Sequence, residues 1–219
     1  MDDQSLFSRL RERLFTAVVG DVMDSAGLRR QFLPSAIRPL APETTVIGRA
    51  MTVANADLTP TDPDDSFGLM LRALDDLKPN EVYVAVGGSP DYAVWGGLMS
   101  ARATRLGATG AVLGGRHRDT REILALGFPV FSLGAYAQDQ RTRGRATDFR
   151  IEIEFANGCR VAPGDVIFGD VDGVVVIPKG VAADVVEQAL AKVNGEETVR
   201  RMIAEGETTV AAFAKTGIM

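Results

Sequence analysis

The sequence predicts an α/β domain with a parallel βαβ core, an antiparallel meander and helical termini. Two consecutive segments read as strand, glycine pair and helix, which is typical of parallel strands joined by crossover helices. Residues 149–155 alternate strictly and precede Asn157-Gly158, a hairpin signal that predicts antiparallel strands. The 23 glycines and the 6% aromatic content favour close backbone packing over a thick aromatic core.

The first third of the chain is predicted from apolar spacing and turn residues. Apolar residues recur at helical spacing before Gly27, which predicts N-terminal helices over residues 5–27. Residues 45–53 are β-branched and apolar, and predict a strand. The segment 60–65, Pro-Thr-Asp-Pro-Asp-Asp, predicts the turn and cap that open a helix through Leu74.

The parallel core and the meander are predicted over residues 45–178. The core elements are a strand at 81–86 with Gly87-Gly88, a helix at 93–106, a strand at 110–113 with Gly114-Gly115, a short helix ending at Gly127, and a strand at 128–131. The meander strands are predicted at 149–155, 159–161, 166–168 and 174–177. C-terminal helices follow over 181–216, and without a linker or repeat we predict one domain over 1–219.

Charge and composition disfavour several classes of function. The net charge is −5 and the pI is 5.0, whereas proteins that bind nucleic-acid phosphates usually present a basic face. Cys159 is the single cysteine, and the acidic N-terminus lacks the apolar segment of a secretion signal. No apolar run approaches the roughly 20 residues that a membrane span needs. We expect a cytoplasmic protein that binds neither nucleic acid nor membrane, with an unreactive thiol.

Residues 114–122 carry the charged side chains best suited to chemistry. They lie where a predicted strand passes into a helix, the edge at which open α/β sheets bind ligands. Arg118 can donate paired hydrogen bonds from its planar guanidinium to a carboxylate or an α-keto acid. Asp119 offers hard oxygen ligands to Mg²⁺ or Mn²⁺. The segment therefore predicts a site for an anionic substrate and a divalent metal.

Structural roles compete with these chemical ones. Asp119-x-x-Glu122 is also the spacing of a helix capping box, although one carboxylate oxygen can cap while the other faces a metal-bound water. His117 is either a general base or a packed or surface residue, and we assign it no catalytic role. Trp95 has apolar neighbours and is predicted to be a core or subunit-contact residue.

Seven short motifs, taken in order, resemble one known family. They are Ala93-Val-Trp-Gly-Gly97, Gly107-Ala-Thr-Gly110, Gly114-Gly-Arg-His-Arg-Asp119, Phe128-Pro-Val-Phe131, Val161-Ala-Pro-Gly-Asp165, Asp170-Val-Asp-Gly-Val174 and Val176-Ile-Pro178. Together they resemble the class II 4-hydroxy-4-methyl-2-oxoglutarate aldolases and the regulator of ribonuclease activity A (RraA-like) proteins. The resemblance covers residues 20–206.

The resemblance implies a swivelling β/β/α fold, assembled as a homotrimer or as a hexamer of two trimers with sites between subunits. It implies a divalent metal, Mg²⁺ or Mn²⁺, that is held largely through waters and supports C–C cleavage of a 2-oxo acid through a pyruvate enolate. Oxaloacetate decarboxylation is often a second activity. By resemblance Arg118 binds the substrate carboxylate and enolate oxygen, Asp119 anchors the metal, and the amides of Gly97, Leu98 and Met99 hold the carboxylate.

One position departs from the aldolase pattern. In the active aldolases, twenty residues separate an acidic residue from the following Arg-Asp pair, and two residues separate that pair from a glutamate. This chain reads Gly97-x20-Arg118-Asp119-x2-Glu122, so the glutamate is present and the first acidic residue is missing. The aldolases also use a glutamate from the neighbouring subunit's C-terminal helix, where this chain has Glu196-Glu197.

These observations predict a metal-dependent lyase that acts on a small 2-oxo acid, weakened by Gly97. Two alternatives stay open: a hydrolase or hydratase that uses the same metal water, and a non-catalytic regulator of ribonuclease assemblies. The Arg118-Asp119 pair favours an enzyme. Because aspartate suits the first turn of a helix, Gly97→Asp is predicted to cost little backbone energy and to restore a metal anchor.

Overall fold

A computed structural model describes residues 1–59 and 67–218. The turn and cap predicted at 60–65 lie outside the described residues. The described helices are α1 (Asp3–Arg13), α2 (Thr16–Ser25), α3 (Met70–Asp75), α4 (Gly97–Leu106), α5 (Thr120–Leu126), α6 (Ala182–Ala204) and α7 (Thr209–Thr216). The described strands are β1 (Arg38–Pro39), β2 (Val46–Asp57), β3 (Glu81–Gly87), β4 (Ala93–Trp95), β5 (Gly110–Leu113), β6 (Arg116–His117), β7 (Val130–Ser132), β8 (Gly144–Phe149), β9 (Ile153–Glu154), β10 (Arg160–Val161), β11 (Val166–Asp170) and β12 (Gly173–Ile177).

The main sheet confirms the predicted parallel core. Its strand order is β1-β7-β5-β3-β2-β11-β12, and the pairs from β2 through β3 and β5 to β7 are parallel. The strands β11, β12 and β8 add antiparallel pairs on the other side of β2. The chain just before β1 also pairs with β12, since Leu33 N donates to Val174 O at 2.9 Å and Val176 N to Gln31 O at 2.7 Å. The two ends of the sheet therefore meet, and the sheet is nearly closed.

The helices predicted at both ends of the chain are present, and they pack together on the main sheet. The apolar sides of α1, α2 and α6 form one buried cluster with β11 and β12, to which Leu10, Val19 and Val186 contribute. Asp2 caps α1 by accepting a hydrogen bond from Ser5 N at 2.8 Å, so the first helix begins before the predicted residue 5. None of the described helices is long and apolar enough to cross a membrane.

The prediction of one continuous strand over residues 149–155 is wrong. The chain turns at Arg150, whose φ is +57°, so β8 ends at Phe149 and the separate hairpin β9–β10 follows. Arg150 is held there because its Nη1 pairs with Glu81 Oε1 at 2.8 Å and its Nη2 donates to Asp76 O at 2.9 Å. These ion pairs with distant residues override the local alternation.

The Asn157-Gly158 hairpin is confirmed, and it leads into the buried Cys159. Gly158 has a φ of +81°, and Phe155 N donates to Cys159 O at 2.9 Å across the turn. Burial, with a smaller contribution from Asp165, raises the pKa of the Cys159 thiol to about 12. Because the thiolate is the reactive form, this supports the expectation of an inert thiol.

Candidate active site

Two short parallel strands place the first turns of two helices side by side. The predicted helix over 93–106 is wrong at its start, because Ala93–Trp95 forms β4 and pairs with β6. Arg118 N continues this pairing by donating to Trp95 O at 2.9 Å. Helix α4 then begins directly after β4, and α5 directly after β6. The Arg118-Asp119 pair therefore lies beside Gly96 and Gly97.

Trp95 fixes the start of α4, which confirms its prediction as a core residue. Its side chain is buried, and its ring is stacked on Phe128 with centroids 5.9 Å apart. The indole Nε1 donates to Ser100 Oγ at 2.7 Å, and Ser100 Oγ donates to Gly96 O at 3.1 Å. This chain of hydrogen bonds holds the backbone of the helix start against the core.

Asp119 does not form the predicted capping box. It precedes α5 with a φ of +59°, but its side chain makes no capping bond to that helix. Its Oδ2 instead accepts a hydrogen bond from Gly97 N at 3.0 Å, so it caps α4. The Gly97 amide, which is predicted to bind a substrate carboxylate, is therefore paired with Asp119 in this structure. The amides of Leu98 and Met99 have no acceptor among the described residues, as expected for a first helical turn.

The two glycines leave room for two carboxylates. A Cβ on Gly97 would lie 2.1 Å from Glu122 Oε2, and a Cβ on Gly96 would lie 2.6 Å from Asp119 Oδ2. The Glu122 carboxylate thus occupies the space in which a side chain at position 97 would begin. Gly97→Asp therefore requires the carboxylate of Glu122 to move, and because this is the end of a flexible, exposed side chain, the predicted low backbone cost of the substitution is not contradicted.

Arg118 lies between two carboxylates. Its Nε is 3.8 Å from Asp119 Oδ2, and its Nη1 is 3.5 Å from Asp139 Oδ2. All three side chains are partly exposed, between 36% and 41%. Asp139 was not predicted as a site residue, because it lies in the loop before β8 and belongs to no motif. Only its bridge to Ala93 brings it to the site.

Arg118 and Asp119 border a cavity of about 320 Å³. Of the predicted site residues, Leu98 and Met99 also line it, whereas Gly97 and Glu122 lie beside it. The cavity is lined by Phe67, Met70, Leu71, Leu74, Ala93, Val94, Trp95, Gly96, Leu98, Met99, Arg118, Asp119, Asp139 and Gln140. The site is therefore a charged edge above a largely apolar pocket.

His117 and the two C-terminal glutamates lie outside this cavity. His117 is buried, with Nδ1 2.7 Å from Ser132 Oγ and Nε2 3.1 Å from Thr120 Oγ1. Burial lowers the pKa of His117, which favours a neutral, packed residue over a general base at this site. Glu196 and Glu197 lie on α6 and do not line the cavity of their own chain.

Asp119 and Glu122 are the carboxylates of this site that could hold a divalent metal. Their carboxylates converge on the adjacent residues Gly96 and Gly97, and carboxylate oxygens are the ligands that Mg²⁺ and Mn²⁺ prefer. No group of three or more suitable side chains occurs among the described residues. Mg²⁺ commonly binds through one or two carboxylates and keeps several waters, so the two residues fit such an ion.

Comparison with known proteins identifies relatives of the chain. Residues 16–176 match the profile of the RraA-like family, described as Aldolase/RraA. A Halalkalibacterium halodurans protein named "Putative 4-hydroxy-4-methyl-2-oxoglutarate aldolase" is 32% identical over 199 residues, which cover 90% of this chain and 89% of that protein. Protein DlpA of Legionella pneumophila is 30% identical over 194 residues, which cover 88% of this chain but only 31% of DlpA.

Solved structures share the fold over almost the whole chain. An uncharacterized protein from Pseudomonas syringae pv. tomato has a TM-score of 0.86 at 28% identity, covering 98% of this chain and 95% of that one. RraAS2 of Streptomyces coelicolor, described as an unusual member of the RNase ES inhibitor RraA protein family, has a TM-score of 0.80 at 26% identity, covering 92% and 99%. These matches confirm the predicted α/β architecture, and the chain belongs to the RraA-like family of aldolase and RraA proteins.

Proposed function

We propose that the chain is a divalent-metal-dependent lyase that releases pyruvate from a small 2-oxo acid, by aldol cleavage or by decarboxylation. The observation that carries this proposal is the convergence of Arg118, Asp119 and Glu122 on the N-terminus of α4 beside a cavity. The aldolase names of the relatives support it. Glu122, the glutamate that the aldolase pattern also has, lies against Gly97, where the pattern's other acidic residue is missing.

Each residue has a role that follows from its position. Arg118 binds the substrate carboxylate and the enolate oxygen, with the amides of Leu98 and Met99 as further donors. Asp119 and Glu122 would hold the metal. When bound, the metal supplies positive charge that opposes the negative charge growing on the pyruvate enolate. Arg118 opposes the same charge from within a partly desolvated site.

The proton and the electrons balance within the substrate. In a 4-hydroxy-2-oxo acid the hydroxyl proton leaves the C4 oxygen, which becomes a carbonyl as the C3–C4 bond breaks. The electron pair of that bond passes into the pyruvate enolate. The proton, carried by water hydrogen-bonded to Glu122, is returned at C3 to give pyruvate. In oxaloacetate the C4 carboxylate carries no proton, so CO₂ leaves as the C3–C4 electron pair passes into the enolate, and the proton added at C3 comes from water.

Pyruvate release from oxaloacetate tests the proposed function directly. With Mg²⁺ or Mn²⁺ we expect turnover well above the rate of the metal alone, and EDTA should abolish the difference. Oxalate resembles the pyruvate enolate, so metal and oxalate together should raise Tm more than metal alone, because both bind only the folded protein. If neither turnover nor a shift in Tm appears at millimolar concentrations, the lyase proposal is wrong.

Two further candidates remain within the family. The description of RraAS2 favours a regulator of a ribonuclease, and Gly97 is a departure from the aldolase pattern that suits it. The retained Arg118-Asp119 edge favours the lyase, since a docking protein has no need of a cavity beside paired carboxylates. A hydrolase or hydratase would use the same edge on another carboxylate substrate, and product analysis separates it from a lyase.

We also propose that the site is shared between copies of the chain in a homotrimer or hexamer. Asp119 and Glu122 are exposed, and Leu98 at the cavity is 82% exposed. Exposed catalytic carboxylates beside an apolar side chain fit an edge that a second subunit covers. Glu196 and Glu197 on α6 of that subunit are the candidates to complete it.

Substitution of Gly97 tests whether the Glu122 carboxylate occupies the space beside Gly97. Because the Glu122 carboxylate fills the space at Gly97, Gly97→Asp alone should displace it and leave the Mn²⁺ affinity unchanged or weaker. The double variant Gly97→Asp with Glu122→Ala should bind Mn²⁺ more tightly than Glu122→Ala alone, since one carboxylate replaces the other. Calorimetric titration measures both, and tighter Mn²⁺ binding by Gly97→Asp alone would contradict this geometry.

A further inference from the structure

We propose that the cavity selects a 2-oxo acid with one carboxylate and an uncharged, apolar distal end. This rests on the proposed lyase function and names its substrate class. For aldol cleavage the substrate is then a 4-hydroxy-2-oxo acid that yields pyruvate and a neutral, apolar aldehyde. This differs from a dicarboxylate such as 4-hydroxy-4-methyl-2-oxoglutarate.

The charges around the cavity match one carboxylate and oppose a second. Among the described residues that line it, Arg118 is the only cation. Arg118 is assigned to the 2-oxo acid end of the substrate, which leaves no cation for a second anion among the described lining residues. Asp139 is also in the lining, with its Oδ2 3.5 Å from Arg118 Nη1. A distal carboxylate would therefore lose hydration, gain no cation and be repelled by Asp139.

The remaining wall is built for an apolar group. It consists of Phe67, Met70, Leu71, Leu74, Leu98 and Met99. Met70 and Leu74 are buried, while Leu71 and Leu98 are 54% and 82% exposed, so the apolar surface extends from the floor to the mouth. Methylene groups placed on such a surface are stabilised by removal from water, whereas a charged group is not. A branched or cyclic hydrocarbon substituent at C4 fits this wall.

Gln140 supplies one polar group on the same wall. Its side chain is 2% exposed, and its amide nitrogen has no hydrogen-bond partner among the described residues. A buried donor of this kind is normally paired, and a ligand oxygen in the cavity would pair it. The C4 oxygen of the substrate, hydroxyl before cleavage and carbonyl after it, is an acceptor of the required kind. As a neutral donor in the cavity lining, Gln140 is matched to a neutral oxygen of the substrate.

A matched pair of substrates tests the inference by turnover. 4-Hydroxy-5-methyl-2-oxohexanoate and 4-hydroxy-2-oxoglutarate differ only in an isopropyl group against a carboxylate at C4. With Mg²⁺ or Mn²⁺, pyruvate release measured through lactate dehydrogenase should give a kcat/KM at least tenfold higher for the isopropyl compound. Equal turnover, or faster turnover of the dicarboxylate, would overturn the inference and leave the lyase function standing.

Two variants and a control refine the result. Asp139→Asn should lower the ratio of the KM for the dicarboxylate to the KM for the isopropyl compound, because it removes the repulsive charge, whereas the loss of its contact with Arg118 affects both substrates alike. Leu71→Arg places a cation at the exposed rim and should reduce or reverse the preference. Asp184→Asn, at an exposed aspartate on α6 outside the cavity, should change neither. Unchanged preference in both cavity variants would overturn the charge argument.

Binding separates the two proposals if turnover fails. Trp95 is the single tryptophan and lines the cavity, so its fluorescence reports on occupancy. With metal present, 5-methyl-2-oxohexanoate should bind at least tenfold more tightly than 2-oxoglutarate. If no substrate, including oxaloacetate, releases pyruvate but this preference holds, the lyase function falls and the selectivity of the cavity stands. Tighter binding of 2-oxoglutarate would overturn the selectivity.

Discussion

Replacement of Arg118 by lysine is expected to lower kcat/KM for metal-dependent pyruvate release by about 30- to 150-fold, which corresponds to roughly 2–3 kcal/mol of transition-state stabilisation. The guanidinium donates in a fixed plane to both the carboxylate and the enolate oxygen, whereas an ammonium offers one point of charge. Arg118 also lies within 3.8 Å of Asp119 and 3.5 Å of Asp139, contacts that set its plane. Steady-state kinetics on oxaloacetate measure the loss.

A matched control separates this effect from a general loss of charge. Arg121→Lys makes the same change three residues along the chain, at an exposed position on α5 that does not line the cavity. It should retain activity within twofold. Thermal unfolding of both variants should show similar Tm values, because Arg118 is partly exposed and contributes little to the core. If Arg118→Lys retains activity within threefold, Arg118 does not bind the reacting end of the substrate.

Replacement of Asp119 by asparagine should lower the affinity for Mn²⁺ by about 100-fold or more, since even residues behind the ligands cost 10- to 100-fold in metal affinity. Pyruvate release at low metal concentration should fall in parallel. Asparagine keeps an oxygen that can accept from Gly97 N, and it tolerates the positive φ of +59° at this position. The substitution therefore removes the charge while keeping the local backbone.

The dependence of activity on Mn²⁺ concentration distinguishes lost metal affinity from lost folding in Asp119→Asn. Raising the Mn²⁺ concentration should recover part of the activity, which loss of folding would not allow. A circular dichroism spectrum like that of the unchanged protein should accompany the loss of affinity. Calorimetry that finds Mn²⁺ binding within threefold of the unchanged protein would remove Asp119 from the metal site.

Much of the architecture followed from local patterns. The strand predicted at 81–86 is β3, and that at 110–113 is β5. Both are short apolar runs bounded by glycine, proline or asparagine, a pattern that is typical of buried strands. The N-terminal helices were predicted from apolar residues that recur at helical spacing. The errors, at 93–95 and at Arg150, occur where distant partners decide the backbone.

The candidate site was likewise predicted only where local sequence patterns define it. Arg118 and Asp119 were predicted because they are adjacent in sequence at a strand-to-helix junction, where a local rule applies. Asp139 and Gln140 were missed, because their loop reaches the cavity only through a bridge to β4. Without an alignment or a motif, a single aspartate in a polar loop carries no signal of proximity to a site.

The sequence by itself therefore determined the α/β class, the family resemblance and the charged edge at Arg118-Asp119, since each depends on neighbours within a few residues. Only the tertiary structure decided that Asp119 caps α4 rather than α5, and that Glu122 fills the space left by Gly97. It also decided that an apolar wall and Asp139 lie in the same cavity as Arg118, the one cation among the described lining residues. These contacts join segments 20 or more residues apart, and their free energy comes from packing and charge pairing that exist only once the sheet has formed.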